Sequence, residues 1–294
     1  MVKKEEIFIF AICYNCGIIL KKCLETFFKF HPKEIINVFG TYKDFKYLKG
    51  FENNLIFHEL SADDTLKQCY KQGHMGTAHI ITKVLQKGYG DDYSHIIHFD
   101  SDVIFRDECI VDIVNGFDEG FDLVGQRRPY EKNKCGRTDF GGLPDVVGTC
   151  LIGVNVNKIS NYDFETLKQM VVGYYNPIGN PILDFFDPIC FDMLKNGAKI
   201  KYLDYNDYGC ANEEGSWNNI YGELNNLFDF GRKFVHFGGI GSGESFCKNG
   251  SGNVPDSYVN WAKSRYSMYM KLFYGQDIGV KYDTEIYNKL KKQF

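Results

Sequence analysis

The most informative segment of this 294-residue chain is His95-Ile-Ile-His-Phe-Asp-Ser-Asp-Val-Ile-Phe105. It starts as an apolar run of the length of a β-strand and ends in the pair Asp100 and Asp102. Side chains two positions apart in an extended chain point the same way, so these carboxylates can converge on one cation. Carboxylate oxygens suit Mg²⁺ or Mn²⁺ better than a soft metal. The alternative is an ordinary polar strand end or helix cap.

Strand and helix patterns alternate in the sequence before this segment. The predicted strands cover 7–12, 34–39 and 55–60, and the predicted helices cover 17–30, 63–71 and 76–86. Strands that alternate with helices predict an α/β fold with a parallel sheet and crossover helices. In such sheets ligands bind beyond the carboxyl ends of the strands, and we expect Asp100 and Asp102 to lie there.

The second part of the chain carries similar patterns. Further strands are predicted at 122–125, 146–154, 199–203 and 233–237, and helices at 185–196, 256–274 and 284–292. The stretch 238–252 is rich in Gly, Ser and Asn, which predicts a loop. Because no repeat, low-complexity block or linker interrupts the sequence, we expect one domain with two halves.

Composition narrows the classes of function. Hydrophobic residues make up 44% and charged residues 24% of the chain, and the formal net charge is -4. Nucleic-acid-binding proteins usually show a basic excess or stripe, so we expect no nucleic-acid partner. An anionic ligand would then need a local positive site or a metal. Aromatic residues make up 16%, which predicts core packing, a sugar-stacking surface or both.

The sequence shows no export or membrane signal. The apolar run 7–12 is shorter than the hydrophobic part of a signal peptide, and no stretch is long enough to cross a bilayer. We therefore expect a cytoplasmic protein without a transmembrane segment.

Ten cysteines include one CxxC motif, formed by Cys13 and Cys16. Redox CxxC motifs open a helix after a strand, as this one does, but no second pair is present to complete a zinc site. Buried free thiols are therefore favoured over redox or zinc chemistry.

The segments Gly76-Thr-Ala-His79-Ile and Tyr93 to Asp102 resemble the helix and strand that precede the DxD motif in family 2-type GT-A glycosyltransferases. In that family DxD ends a central strand and holds a divalent ion against a nucleotide-sugar diphosphate. The resemblance spans most of the chain and implies a single Rossmann-like GT-A domain over 1–294. Its implied parts are a nucleotide-sugar-binding half (1–125), an acceptor-binding half (126–250) and a C-terminal helical segment (251–294).

The resemblance also implies a donor site. Asp100, Asp102 and His236 would hold Mn²⁺ or Mg²⁺, although a lone strand histidine is also common in cores. The implied contacts of a UDP-, GDP- or dTDP-sugar are Ala11, Tyr14, Asn15, Asp44, His79, Asp100 and Ser101. Asp44 ends the segment Gly40-Thr-Tyr-Lys-Asp44, which stands where these enzymes often carry an acidic pair. The glycines after His236 could form a lid over the diphosphate or a plain surface loop.

In inverting members of the family, an acidic residue that opens a helix ending at Gly takes the proton of the acceptor hydroxyl. Asp187 matches best because it precedes Pro188 and would lie at the N-cap, where it could equally be a helix cap. Asp184 is the second candidate. Phe186 stands where the family usually has the first of two adjacent acids. The implied acceptor is a glycan or another hydroxyl compound.

Three further groups of residues have weaker patterns. Five basic residues after a predicted strand could hold a phosphate, although a solvated loop is favoured: Arg127, Arg128, Lys132, Lys134 and Arg137. Two aromatic residues could stack on a sugar: Trp217 and Tyr221. Four residues at helical spacing near the C-terminus predict packing: Tyr258, Trp261, Arg265 and Tyr269.

Metal-dependent, inverting transfer of a hexosyl or pentosyl group in carbohydrate biosynthesis is therefore the expected function, with two alternatives. Haloacid-dehalogenase-like phosphatases also carry Asp-x-Asp after an apolar strand, and here Asp100 and Asp102 would be the nucleophile and the general acid. Those enzymes normally carry the motif on their first strand and need a later acidic pair. The other alternative is a catalytically inactive sugar-binding protein, because a fold does not fix a function.

Overall fold

The computed structural model describes residues 2–60, 74–85, 93–128, 146–159, 186–203, 228–229, 233–250, 256–292 and 294. The strands are β1 (Ile7–Ile12), β2 (Ile36–Gly40), β3 (Leu55–Glu59), β4 (His95–Asp100), β5 (Val103–Phe105), β6 (Leu123–Arg128), β7 (Val146–Asn155), β8 (Ile200–Leu203), β9 (Phe228–Asp229) and β10 (Phe234–His236). The helices are α1 (Gly17–Phe30), α2 (Tyr42–Phe45), α3 (His74–Leu85), α4 (Ile110–Asp118), α5 (Asp187–Lys195), α6 (Ile240–Asn249), α7 (Asp256–Tyr274) and α8 (Thr284–Lys291). Within these ranges, no helix combines the length and the apolar character that crossing a membrane would require.

Seven strands form the larger sheet, in the order β3-β2-β1-β4-β7-β6-β8. Only β7 runs against the direction of the others among the strands described. The central pair β1 and β4 is parallel over its full length, from Ile7 opposite His95 to Ile12 opposite Asp100. The predicted α/β fold class is confirmed: the sheet is mostly parallel, helices flank it, and two helices end the chain.

Strand β1 is buried on both faces, as its continuous apolar run predicts. Phe8 and Phe10 belong to the core on one side of the sheet, and Ile9 and Ala11 to the core on the other. A strand of this kind must be covered by helices on both sides, because no face of it can be left in water. Asp100 is therefore carried at the end of a rigid, fully packed pair of strands.

Aromatic side chains fill much of the core beneath this strand end. Phe99 of β4 stacks on Phe27 of α1 with ring centroids 5.2 Å apart, and Phe105 meets Phe99 edge-on at 5.4 Å. In α7, Tyr269 is fully buried and meets Phe237 edge-on. Core packing, one of the two explanations of the high aromatic content, is thus confirmed for these residues.

A second, smaller sheet has the order β5-β10-β9, with both pairings antiparallel. Its register places His236 opposite Val103. Strand β5 follows β4 after only two residues, so the small sheet begins where the large sheet ends.

The loop predicted over 238–252 is wrong for most of that stretch, because residues Ile240–Asn249 form helix α6. Gly243 explains the difference: a Cβ atom there would lie 2.1 Å from the carbonyl oxygen of Ala262 in α7. Glycine lets the two helices approach this closely, and the packing overrides its low helix propensity. The glycines therefore build a packed helix, and not the lid or surface loop that the sequence indicated.

Six of the seven cysteines in the described residues are buried, Cys247 is exposed, and all seven are free thiols. The prediction of buried free thiols is confirmed for those six. The Sγ atoms of Cys13 and Cys16 lie 3.6 Å apart in the loop between β1 and α1.

Acid should destabilise the fold through His31, which is 6% exposed and accepts a hydrogen bond from the amide of Cys109 at Nε2. Burial lowers the pKa of His31 to about 4 from its ordinary 6.5. Because the unfolded chain binds more protons between these values, the free energy of unfolding falls as the pH falls through this window. We expect His31 to account for a loss of roughly 2 kcal/mol in the free energy of unfolding between pH 7 and pH 5.

Urea unfolding of the wild type and of His31→Gln at both pH values measures this contribution. The glutamine oxygen can still accept the amide hydrogen bond but cannot titrate, so the variant should lose less stability on acidification. Equal losses in the two proteins would contradict the assignment.

Substitution of Gly243 should test the packing of α6 on α7. Gly243→Ala should lower the free energy of unfolding by about 1–3 kcal/mol, the usual cost of overpacking. Gly241→Ala is the matched control, because a Cβ atom there has its nearest contact at 3.8 Å from Cys16. Thermal or urea unfolding that finds the two variants equally stable would argue against this close contact.

Candidate active site

Asp100, Asp102 and His236 converge where β4 ends. The Nε2 atom of His236 lies 3.2 Å from Oδ1 of Asp102 and 3.6 Å from Oδ2 of Asp100. One ligand atom from each residue lies within 4.8 Å of the other two. Among the described residues this is the one group of three or more His, Cys, Asp and Glu side chains arranged closely enough to hold a metal ion.

The small sheet brings His236 to the aspartates. Residue 236 pairs with Val103 across the β5–β10 ladder, and the next amide, that of Phe237, donates to the carbonyl oxygen of Asp102 at 3.1 Å. A residue 134 positions further along the chain is thereby fixed beside Asp102 by backbone hydrogen bonds. Such a contact depends on the register between two strands that are far apart in the sequence.

The electrostatics of this cluster are strongly negative. Burial disfavours the charged imidazolium of His236, but Asp102 and then Asp100 outweigh this effect and raise its pKa above the ordinary value. The side chains of Asp102 and His236 are only 12% and 17% exposed. A positive group is therefore favoured at the point where the three side chains meet.

The turn after His236 is held by α7. Arg265 is buried, and its Nη1 atom donates to the carbonyl oxygens of Phe237 and Gly238 at 2.8 and 3.0 Å. Its guanidinium carbon lies 4.3 Å from the ring centroid of Trp261. Gly239 has φ 79°, and a Cβ atom there would lie 2.3 Å from the Trp261 ring. The predicted packing role of Trp261 and Arg265 is confirmed, and their packing fixes the turn beside His236.

The loop between β1 and α1 lies next to this cluster. The Sγ atom of Cys16 is 3.4 Å from the hydroxyl of Ser101, which stands between the two aspartates. Tyr14 is 42% exposed, and Asn15 is exposed with φ 56°, a left-handed conformation that asparagine tolerates better than most residues. Tyr14, Asn15 and Ser101, which were expected to contact a donor, thus lie at the ends of neighbouring strands. The side chain of Ala11, also expected there, is buried in the core.

Asp44 is turned towards the protein backbone. It is 2% exposed, and its carboxylate accepts from the amides of Gly17 and Asn15, each at 3.1 Å, and from the Thr41 hydroxyl at 2.7 Å. Asp44 lies in helix α2, so these bonds tie α2 to the β1–α1 loop and to the first amide of α1. The arrangement makes Asp44 a structural support of the loop on which Tyr14 and Asn15 stand.

His98 was not among the residues expected in the site. It lies two residues before Asp100 in β4, and its Nε2 atom is 3.3 Å from Oδ1 of Asp100. The signal was present in the sequence, because residues two apart in a strand share a face.

Several expected residues lie outside the described residues or are described by backbone only. Those outside are Lys132, Lys134, Arg137, Asp184, Trp217 and Tyr221. Those placed by backbone alone are His79 in α3, Arg127 and Arg128 in β6, and Asp187 as the first residue of α5.

The sequence matches no protein-family model and no curated protein. Solved structures do match. Mouse xyloside xylosyltransferase 1 in its apo form is 11% identical, with a TM-score of 0.47 over 67% of this chain and 85% of that one. The galactosyltransferase LgtC in complex with donor and acceptor sugar analogues is 15% identical, with a TM-score of 0.42 over 67% and 73%. At these identities no residue role carries across, so each role is argued from this chain's own side chains.

Replacement of Asp44 should reveal its structural role. In Asp44→Asn one oxygen becomes an NH₂ group, and in either orientation at least one backbone amide then faces a donor. Leaving a buried donor unpaired costs about 1–3 kcal/mol. We expect that loss in the urea unfolding of the ligand-free protein.

The control for this prediction is Glu52→Gln, which alters an exposed carboxylate that accepts one amide bond, from Gly50. Surface changes of this kind usually stay within about 0.5 kcal/mol. If Asp44→Asn is as mild as the control, Asp44 does not hold the loop.

Proposed function

We propose that this chain is a metal-dependent glycosyltransferase that moves a sugar from a nucleotide-diphosphate sugar to an acceptor hydroxyl. The observation that carries the proposal is the convergence of Asp100, Asp102 and His236 beside the β1–α1 loop, in which Tyr14 and Asn15 are exposed. Ligands of open α/β sheets bind at this edge, beyond the carboxyl ends of the strands. The site thus offers a cation position and a nucleotide position side by side.

The donor set fits a divalent ion. Two carboxylates favour Mg²⁺ or Mn²⁺, and the added imidazole favours Mn²⁺ of the two. Asp100, Asp102 and His236 would hold this ion, and the raised pKa of His236 reflects the negative charge that it would balance. When bound, the ion would supply charge neutralisation for the departing diphosphate.

The chain's own groups could orient the rest of the donor. Tyr14 and Asn15 stand exposed at the loop where a nucleoside would lie. Helix α6 begins beside the cluster and has no side-chain cap, because its N-cap residue is Gly239. The positive end of such a helix favours phosphate groups, so we place the diphosphate between α6 and the aspartates.

The acceptor side is proposed from the resemblance alone. Asp187, at the start of α5, would accept the proton of the acceptor hydroxyl as the new glycosidic bond forms and the nucleotide leaves, with inversion at the anomeric carbon. A positioned base of this kind typically contributes about 10²–10⁴-fold in rate. Asp184 remains the second candidate. The sugar type, a role in carbohydrate biosynthesis and a cytoplasmic location stay predictions.

The two alternatives gain no support from the described residues. A haloacid-dehalogenase-like phosphatase needs a later acidic pair near Asp100 and Asp102, but the one cluster within the described ranges adds only His236. A catalytically inactive sugar-binding protein would bind the same donor, and a measurement of turnover distinguishes it from an enzyme.

Thermal unfolding with UDP-, GDP- and dTDP-sugars, with and without Mn²⁺, tests the proposal. Specific binding at a hundredfold excess over Kd stabilises the folded protein by about 2.7 kcal/mol, so one donor should raise the Tm only when Mn²⁺ is present. Donor hydrolysis or transfer then distinguishes an enzyme from a binding protein. A Tm that no nucleotide moves would count against the proposal.

Asp102→Asn should abolish both the Mn²⁺-dependent stabilisation and turnover while the protein stays folded. Asp256→Asn, at an exposed position at the start of α7, is the matched control and should behave as the wild type. Undiminished turnover in Asp102→Asn would overturn the assignment of the metal site.

A further inference from the structure

A buried histidine on the same strand stands behind the proposed metal ligands. His98 is 2% exposed, and its ring packs on Phe10 with centroids 4.7 Å apart. The packing leaves its ring little freedom to turn, because protein cores are close-packed. Its Nε2 atom faces Oδ1 of Asp100 at 3.3 Å.

The direction of this hydrogen bond follows from the partner. An ionised carboxylate can only accept, so Nε2 must carry the proton and donate. In the neutral ring Nδ1 is then the unprotonated nitrogen, and this atom is buried without a hydrogen-bond partner in the part of the chain that the structure describes. Within the described residues, the one side-chain hydrogen bond of His98 is therefore the bond to Asp100, at the edge of the sheet where ligands bind.

The two oxygens of Asp100 thus have different surroundings. Oδ1 faces His98 inside the strand layer, and Oδ2 faces His236 at 3.6 Å. Asp100 lies at the end of β4 with its side chain 30% exposed, so packing alone does not fix its rotamer. The hydrogen bond from His98 supplies the constraint that packing lacks.

We propose that His98 is a positioning residue that fixes the Asp100 carboxylate so that Oδ2 points to the cation site, an inference that rests on the proposed function. Hydrogen bonds to metal-ligating carboxylates orient them, and their loss typically costs 10–100-fold in metal affinity. His98 acts through Asp100 and touches neither the cation nor the donor.

The test is Mn²⁺ affinity without nucleotide, measured from the room-temperature EPR signal of free Mn²⁺ and checked by calorimetry. His98→Gln keeps a donor near the position of Nε2, whereas His98→Met has similar length and no donor. We expect His98→Gln to bind Mn²⁺ within a few-fold of the wild type. His98→Met should bind about 10–100-fold more weakly.

His95 supplies the matched control. It is a second buried histidine of β4, hydrogen-bonded to Ser94 and packed on Phe117, away from Asp100. His95→Gln and His95→Met should leave the Mn²⁺ affinity unchanged, although they change stability. A role of His98 in folding alone would give both pairs of variants the same result.

The outcomes distinguish a wrong role for His98 from a wrong proposed function. If the wild type binds Mn²⁺ and folded His98→Met binds it equally well, His98 does not position Asp100. If the wild type binds no Mn²⁺, the proposed metal dependence is wrong and this inference is overturned with it. Should His98→Met not fold, His98→Asn replaces it: its amide is too short to reach Asp100, so wild-type affinity there also overturns the inference.

Discussion

Two carboxylates at the end of one buried strand repel each other, and the surrounding residues offset this repulsion. Asp100 and Asp102 lie where the lower dielectric of the protein strengthens the interaction between like charges. Each has an imidazole beside it: His98 lies 3.3 Å from Asp100 and His236 lies 3.2 Å from Asp102. The raised pKa of His236, which burial opposes and the two aspartates cause, reflects how negative this corner is. A site of this charge favours a cation over any neutral ligand.

The small sheet and helix α7 hold His236 in place. The β5–β10 ladder sets the register that brings His236 to Asp102. Arg265 then binds the carbonyl groups of the following turn, and its guanidinium packs on Trp261. The large sheet fixes Asp100 in the same way, through the pairing of β4 with β1. Residues of both sheets belong to the same hydrophobic core, so the three side chains of the site are held by adjoining parts of one packed core.

The parts of the fold that the sequence predicts best have long and unambiguous patterns. Strand β1, helix α1 and helix α7 have the predicted bounds, because a continuous apolar run or several turns of helical spacing leaves little alternative. Helix α6 was missed because glycine has low helix propensity, and only its contact with Ala262 reveals why glycine is needed. In the same way, Asp100 and Asp102 are evident from spacing, whereas the inward turn of Asp44 depends on tertiary contacts.

The packing that fixes the turn after His236 also leaves the N-terminus of α6 without a side-chain cap. Trp261 occupies the space where a side chain of residue 239 would lie, so this position must be glycine and α6 has no side-chain cap. At α1 the reverse holds, because Asp44 accepts from the amide of Gly17 and neutralises that terminus. The two helix ends lie close together, since a Cβ atom at Gly241 would be 3.8 Å from that of Cys16. Under the proposed function, a diphosphate would therefore be favoured at α6 and disfavoured at α1, and the nucleoside of the donor would lie towards Tyr14.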